Sequence, residues 1–205
     1  MRDWWLRALL VLQRPRPVFV ALRDDSKESL ADRAEPVLAV VLLAGIVAVL
    51  STATAGRLLD DGSYDGLLVA VWAFIAGSLY GMFGYFAFGA VLHGCAKALG
   101  SQGSYRRARH VLAFAAVPIA LSLVLWPVKL AVYGESLFRS GGSDHGSGIR
   151  IFGVLELVFL LWAGVLLVVG VRAVHGWTWG RAAAACGLAL VAPVLVGLAV
   201  GSLGG

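Results

Sequence analysis

Residues 151–171 read IFGVLELVFLLWAGVLLVVGV, with no Lys, Arg or Asp and a single glutamate, Glu156. About 20 residues of helix, at about 1.5 Å each, cross the roughly 30 Å hydrocarbon core of a bilayer. The stretch therefore reads as a membrane span that carries one carboxylate. Four other segments, 36–56, 66–96, 111–128 and 182–205, contain no Asp, Glu, Lys or Arg. With 60% of the 205 residues hydrophobic and only 14% charged, the composition excludes an ordinary soluble domain. The expected fold class is all-α: a polytopic membrane helix bundle of five transmembrane helices, preceded by N-terminal amphipathic interfacial helices. The expected boundaries are 1–35 for the cytoplasmic, interfacial region and 36–205 for the membrane domain, with spans at about 36–56, 66–99, 110–132, 151–173 and 180–203.

Lys and Arg near span ends mark the cytoplasmic side of a membrane. The region 1–35, the loop carrying Lys97, Arg106, Arg107 and Arg109, and the loop with Arg172 and Arg181 together hold thirteen of the 17 basic residues. The alternate side holds Arg57, Lys129, Arg139 and Arg150. The N-terminus is expected in the cytoplasm and the C-terminus outside. Arg2, Arg7, Arg14 and Arg16 interrupt the first 20 residues, where a secretory signal needs an apolar core, so this region is expected to be retained.

MRDWWLRALLVLQR pairs tryptophans with arginine-edged apolar residues, which suits a helix lying in the headgroup region. RPRP is expected to end it, and VFVALRDDSKESLADRAE to form a second, polar helix before Pro36 opens span one. Pro118 is expected to kink span three. GESLFRSGGSDHGSG, residues 134–148, reads as a flexible external loop; Asp144 and His145 in it are two potential metal ligands but no ligand set. Trp177 and Trp179 are placed for an aromatic belt.

Along span two, Ala73, Gly77, Gly81, Gly84, Ala87, Ala90 and Gly94 recur at spacings of three and four. Such a face lets another helix approach closely, either within the bundle or in a dimer. Gly197 and Gly201 in span five pose the same choice. Counting helical spacing from Glu156 places Gly153, Leu160, Ala163, Gly164, Leu167 and Gly170 on its face, which is expected to meet protein. Lys129 closes span three near the same boundary. A Glu156–Lys129 pair joining spans three and four is the first expectation; a neutral carboxylic acid donating a hydrogen bond is the second, and a role in transport the third.

No HExxH, GxSxG, GxxxxGK[ST] or CxxC pattern occurs, so neither catalysis nor a metal or other cofactor is expected. Cys95 and Cys186 would face the reducing side, where a structural disulfide is not expected. The cluster Arg106, Arg107 and Arg109 is a candidate surface for anionic lipid headgroups, with topology determination as its simpler role. Nucleic acid is not an expected partner.

Three stretches in order resemble the Yip family, the Ypt- and Rab-interacting five-span membrane proteins: QRPRPVFVALRDD at 13–25, HGCAKALGSQGSYRRARHVLAFAAVP at 93–118 and GWTWGRAAAACGLAL at 176–190. The first looks like the entrance to span one in prokaryotic members. The resemblance implies a helical bundle with its N-terminus in the cytoplasm, here in a bacterial plasma membrane, and a trafficking-type or membrane-shaping role among proteins that associate with one another. The DLYGP-type motif of eukaryotic relatives is absent, so Rab binding is not carried over. The expected function is a non-enzymatic membrane organiser, adaptor or scaffold, partnered by the bilayer, other membrane proteins or further copies of itself. The alternative is a small transporter or lipid-handling protein that uses the Glu156 face.

Overall fold

The computed structural model describes residues 2–24, 26–142 and 147–203, and of residues 2, 147 and 194–203 the backbone course alone. The described residues form α1 (Arg2–Leu10), α2 (Pro15–Ala21), α3 (Lys27–Leu50), α4 (Gly66–Ala98), α5 (Tyr105–Ala115), α6 (Val117–Leu121), α7 (Leu125–Tyr133), α8 (Ser147–His175) and α9 (Trp179–Leu203), with no strand among them. Among these residues four segments are long and apolar enough to cross a membrane: Lys27–Leu50, Gly66–Ala98, Tyr105–Phe138 and Gly148–His175. α9 is 25 residues long.

Local chemistry sets the helix ends. Ser26, Asp65, Ser104 and Thr178 each accept the N–H three residues on through a side-chain oxygen, which satisfies a donor that the first turn leaves free. At the other ends, Gly100 and Gly176 take φ of +83° and +67° after α4 and α8, a left-handed turn that a side chain would strain.

Pro36 does not open a helix. α3 starts nine residues earlier and runs through it, because the Ser26 cap and the helix-forming residues Glu28, Leu30, Ala31, Ala34 and Glu35 sustain turns that outlast the backbone bond Pro36 removes and the crowding of its ring against the preceding turn. The second polar helix expected from VFVALRDDSKESLADRAE is correspondingly two elements, the end of α2 and the start of α3. Pro118 interrupts span three: α5 stops at Ala115, and α6 begins with Pro118 in its first turn.

The chain clusters into two compact units, one of Met1–Val37, Gly84–Ala115 and Gly164–Gly205, the other of Leu38–Phe83 and Ala116–Ala163. In the first, Trp4, Ala8 and Val11 are buried, with Trp4 against Phe114 at 5.7 Å between ring centroids. Trp5, Leu6, Leu9 and Leu10 on the same short helix stay exposed. Gly170 of α8 leaves the space that Phe19 and Val111 fill. The Arg23 guanidinium donates to the carbonyls of Ala173 and Val174, 3.1 Å from each for Nε, and so caps the end of α8 from a distant element. A cation there also meets the negative end of the helix dipole.

In the second unit Leu59, Val69, Trp126 and Phe138 form a buried cluster, with Trp126 and Phe138 stacked at 6.3 Å. This corrects the expectation of a flexible loop after span three. Residues Gly134–Phe138 form a 3-10 helix, because Phe138 has a core to enter and the chain behind it is fastened. Arg139 Nη1 donates to the Leu59 carbonyl at 3.0 Å, and Ser140 donates both its N–H, at 2.8 Å, and its hydroxyl to the Asp60 carboxylate. Asp144 and His145 lie outside the described residues.

The Ser140 hydroxyl and N–H hold the Asp60 carboxyl below its ordinary 3.8, with smaller help from Arg139 and Arg57. A carboxylate whose value falls on folding stabilises the folded form above the unfolded value and stops doing so as pH drops through the folded one. The protection of the Ser140 amide, its exchange rate relative to that of an unfolded amide at the same pH, should therefore hold down to about pH 4 and fall below it. In Asp60→Asn the acid step should vanish; an identical acid step in that variant rejects the assignment.

Candidate functional site

Lys129 is carried by α7, whose first turn holds Trp126 and Pro127, and Glu156 by α8. The structure brings them together: Lys129 Nζ donates to Glu156 Oε1 at 2.6 Å. The lysine side chain is 7% exposed and the glutamate 26%. Lys129 Nζ also lies 4.3 Å from the centre of the Trp126 ring and 5.9 Å from that of Phe152, so its charge meets a carboxylate on one side and aromatic faces on others. Two charges of opposite sign in mutual contact are far cheaper to hold away from water than either alone.

The face of α8 that carries Glu156 differs from the one counted symmetrically about it. Ala163, Leu166 and Gly170 are buried, whereas Gly153, Leu160 and Gly164 are exposed. At about 100° per residue, Ala163, Leu166 and Gly170 lie to one side of Glu156, and burial crosses over only near the helix end, at Val171 and Val174. The carboxylate sits at an edge of the buried stripe, which is why it keeps more exposure than Lys129.

The pair borders a cleft of about 460 Å³ whose wall also includes Leu50, Ser51, Arg57 and Trp126. A second hollow of about 440 Å³ shares Leu50 and Trp126 with it and is lined mostly by apolar residues, among them Ala70, Ala73, Phe74 and Leu130. Trp126 Nε1 is buried and finds no acceptor among the described residues. Trp126 and Arg57 were not singled out by sequence reasoning; a tryptophan at the end of a span beside a lysine was the available signal.

The basic residues after span two lie in the first turns of α5, not in a loop. Arg106 is exposed. Arg107 Nη2 donates to the Arg23 carbonyl at 2.8 Å, and the Arg109 guanidinium lies 4.5, 4.6 and 5.0 Å from the ring centres of Phe86, Tyr105 and Tyr85. Gly89 makes room for the Arg109 stem. On α4, Gly77 and Gly81 abut the backbone of α3, whose Gly45 faces them, while among the described residues a Cβ on Gly84 would meet only the Phe88 ring at 3.7 Å. Gly94 has no neighbour among the described residues within 4 Å of that position. The surroundings of Gly197 and Gly201 lie outside the described residues. Cys95 and Cys186 are free thiols, and among the described residues no group of three or more His, Cys, Asp or Glu is placed to hold a metal.

Large apolar side chains remain exposed along α4 and α8, including Leu67, Phe74, Leu79 and Phe83 on one and Ile151, Val154, Leu160 and Leu161 on the other. Water would make such surfaces an aggregation liability, whereas lipid makes them the natural exterior. The chain is an integral membrane protein in contact with the bilayer. No curated protein and no solved structure matches it. The family model of the Yip1 domain matches residues 9–201, nearly the whole chain, and the protein therefore belongs to the Yip1 domain family.

Proposed function

We propose that this chain is a non-enzymatic membrane organiser or adaptor of trafficking type, working as a scaffold for lipids and for other membrane proteins or further copies of itself. The observation that carries the reading is the family match over residues 9–201, since Yip1 members are generally non-enzymatic membrane proteins. In this reading α9 is a fifth span, the chain is of prokaryotic type, and it lies in a bacterial plasma membrane with its N-terminus inside and its C-terminus outside. The thirteen-to-four division of basic residues supports that orientation. The exposed apolar residues of α1 rest in the headgroup region.

In this reading Arg106, Arg107 and Arg109 face the cytoplasm, and Arg106, exposed, is placed to reach an anionic headgroup or an acidic partner, at about 1 kcal/mol for such a contact. The test is co-purification of partner proteins from native membranes. Replacing the three arginines with glutamine, at matched membrane insertion, should reduce recovery; unchanged recovery rejects the role given to this cluster. A second reading, a small transporter or lipid-handling protein, is favoured by the cleft beside Glu156. Solute flux in reconstituted vesicles that is lost in Glu156→Gln supports it, and partner capture without flux supports the adaptor.

A further inference from the structure

We infer that the Leu38–Phe83 and Ala116–Ala163 unit contains a binding site for one anionic phospholipid, with an acyl chain in the apolar hollow and the phosphate in the adjoining polar cleft. The two cavities adjoin at Leu50 and Trp126, which line both, and the proposed amphiphile lies across that shared edge, its tail on the apolar side and its headgroup on the polar side. Their volumes, about 440 and 460 Å³, fall in the range of ligand pockets. The hollow opens among exposed apolar residues, Phe74 at 62% and Leu130 at 44%, on a protein whose surrounding solvent is lipid.

The sign of the headgroup follows from the lining. Arg57, Lys129 and Glu156 are the charged residues of the cleft. Lys129 and Glu156 neutralise each other at 2.6 Å, which leaves the exposed Arg57 as the cleft-lining cation outside an ion pair among the described residues; Asp61 lines an adjoining hollow with it, and Glu135, on the wall of the apolar hollow, is bonded to Arg139. Asp60 feels Arg57, but it also feels Arg139 and is bonded to Ser140. A guanidinium matches the oxygens of a phosphodiester in geometry as well as charge. Trp126 supplies a further element at the junction, a buried indole N–H without an acceptor among the described residues.

The test uses the full chain, stripped of lipid in detergent and offered phosphatidylglycerol, phosphatidylcholine or diacylglycerol of identical acyl chains, with bound lipid counted by native mass spectrometry. Wild type should retain phosphatidylglycerol about fivefold better than diacylglycerol, which lacks the phosphate, the gain that one well-placed arginine gives, with phosphatidylcholine between them because its choline cation offsets the charge of the same phosphodiester. Arg57→Gln should erase that preference, and Arg57→Lys, which keeps the charge but not the fork, should retain only part of it. Ala70→Phe, which fills the hollow from its exposed rim, should reduce retention of phosphatidylglycerol and phosphatidylcholine alike. Arg57 and Ala70 are both exposed, and thermal unfolding in lipid-free detergent checks that each variant is folded. Equal retention of every lipid by all variants, the behaviour of unspecific annular lipid, overturns the proposal. So does full displacement of phosphatidylglycerol by inorganic phosphate, which would mark an ion site.

Discussion

Glu156→Gln should destabilise the protein by about 3 kcal/mol in detergent, the lower part of the range for removing one partner from a buried ion pair. The lower figure applies because the glutamate side chain keeps 26% of its exposure, through which water or a headgroup can partly replace it. The damage falls on Lys129, 6% exposed, whose ammonium would be left with an amide oxygen and the Trp126 ring. Lys129→Met should cost less, since the remaining carboxylate is the better solvated member. The double variant Lys129→Met with Glu156→Leu should recover most of the loss, because two apolar side chains carry no desolvation penalty. Urea unfolding of all four proteins, followed by tryptophan fluorescence, forms the cycle. A double variant no better than the worse single one would show that the pair does not act as a unit, and unchanged stability in Glu156→Gln would remove its structural role.

Much of this architecture is readable from residue order because membrane spans and helix ends have strong local signals. A run such as 151–171 can only be helical in lipid, where every backbone group must be satisfied internally. Ser26, Asp65, Ser104 and Thr178 precede helices as capping chemistry requires. Pro36 shows where that logic stops. A proline is admissible both in the first turn and in the interior of a well-supported helix, and local pattern does not choose between them.

The site is less legible for a related reason. The charges of Lys129 and Glu156 stand out against apolar spans, so their sequence positions draw attention without any knowledge of packing. The residues that shape the cleft around them do not stand out. Leu50 and Trp126 are ordinary span residues until the folded chain sets them beside each other, and Arg57 reads as a topology determinant. In α8 the spacing rule identified a face but not which side of Glu156 the protein occupies, since small residues such as Gly153 and Gly164 are equally acceptable against lipid. On α4 the stripe from Ala73 follows the helix contact only as far as Gly81. Beyond Gly84 the buried positions are Gly89, Leu92 and Ala96, and at Gly89 the room is taken by the Arg109 stem, which small-residue spacing does not encode.

Gly81→Ala, Gly77→Ala and Gly45→Ala should each destabilise the protein by about 1–3 kcal/mol or more, as overpacking of a close contact does. A methyl on Gly81 would collide with the Val41 carbonyl oxygen, one on Gly77 would lie 2.6 Å from Ile46 Cα, and one on Gly45 would fall on the Gly77 carbonyl and 2.6 Å from Gly81 Cα. These obstacles are mostly backbone, so no rotamer change relieves them and the two helices must separate. Separation forfeits dispersion contacts along the whole interface, which matters in lipid because no hydrophobic force holds helices together there. Gly84→Ala and Gly164→Ala provide the contrast. Among the described residues their added methyl meets nothing closer than 3.7 Å in the first case and nothing within 4 Å in the second, so better helix propensity should leave them within about 1 kcal/mol of wild type, on the stabilising side. Comparing the five variants by thermal unfolding separates a packing requirement from a general intolerance of changes in these spans. Equal losses at Gly81 and Gly164 would contradict the α3–α4 contact, and a loss at Gly84 or Gly164 that depended on protein concentration would place those glycines in an interface between copies.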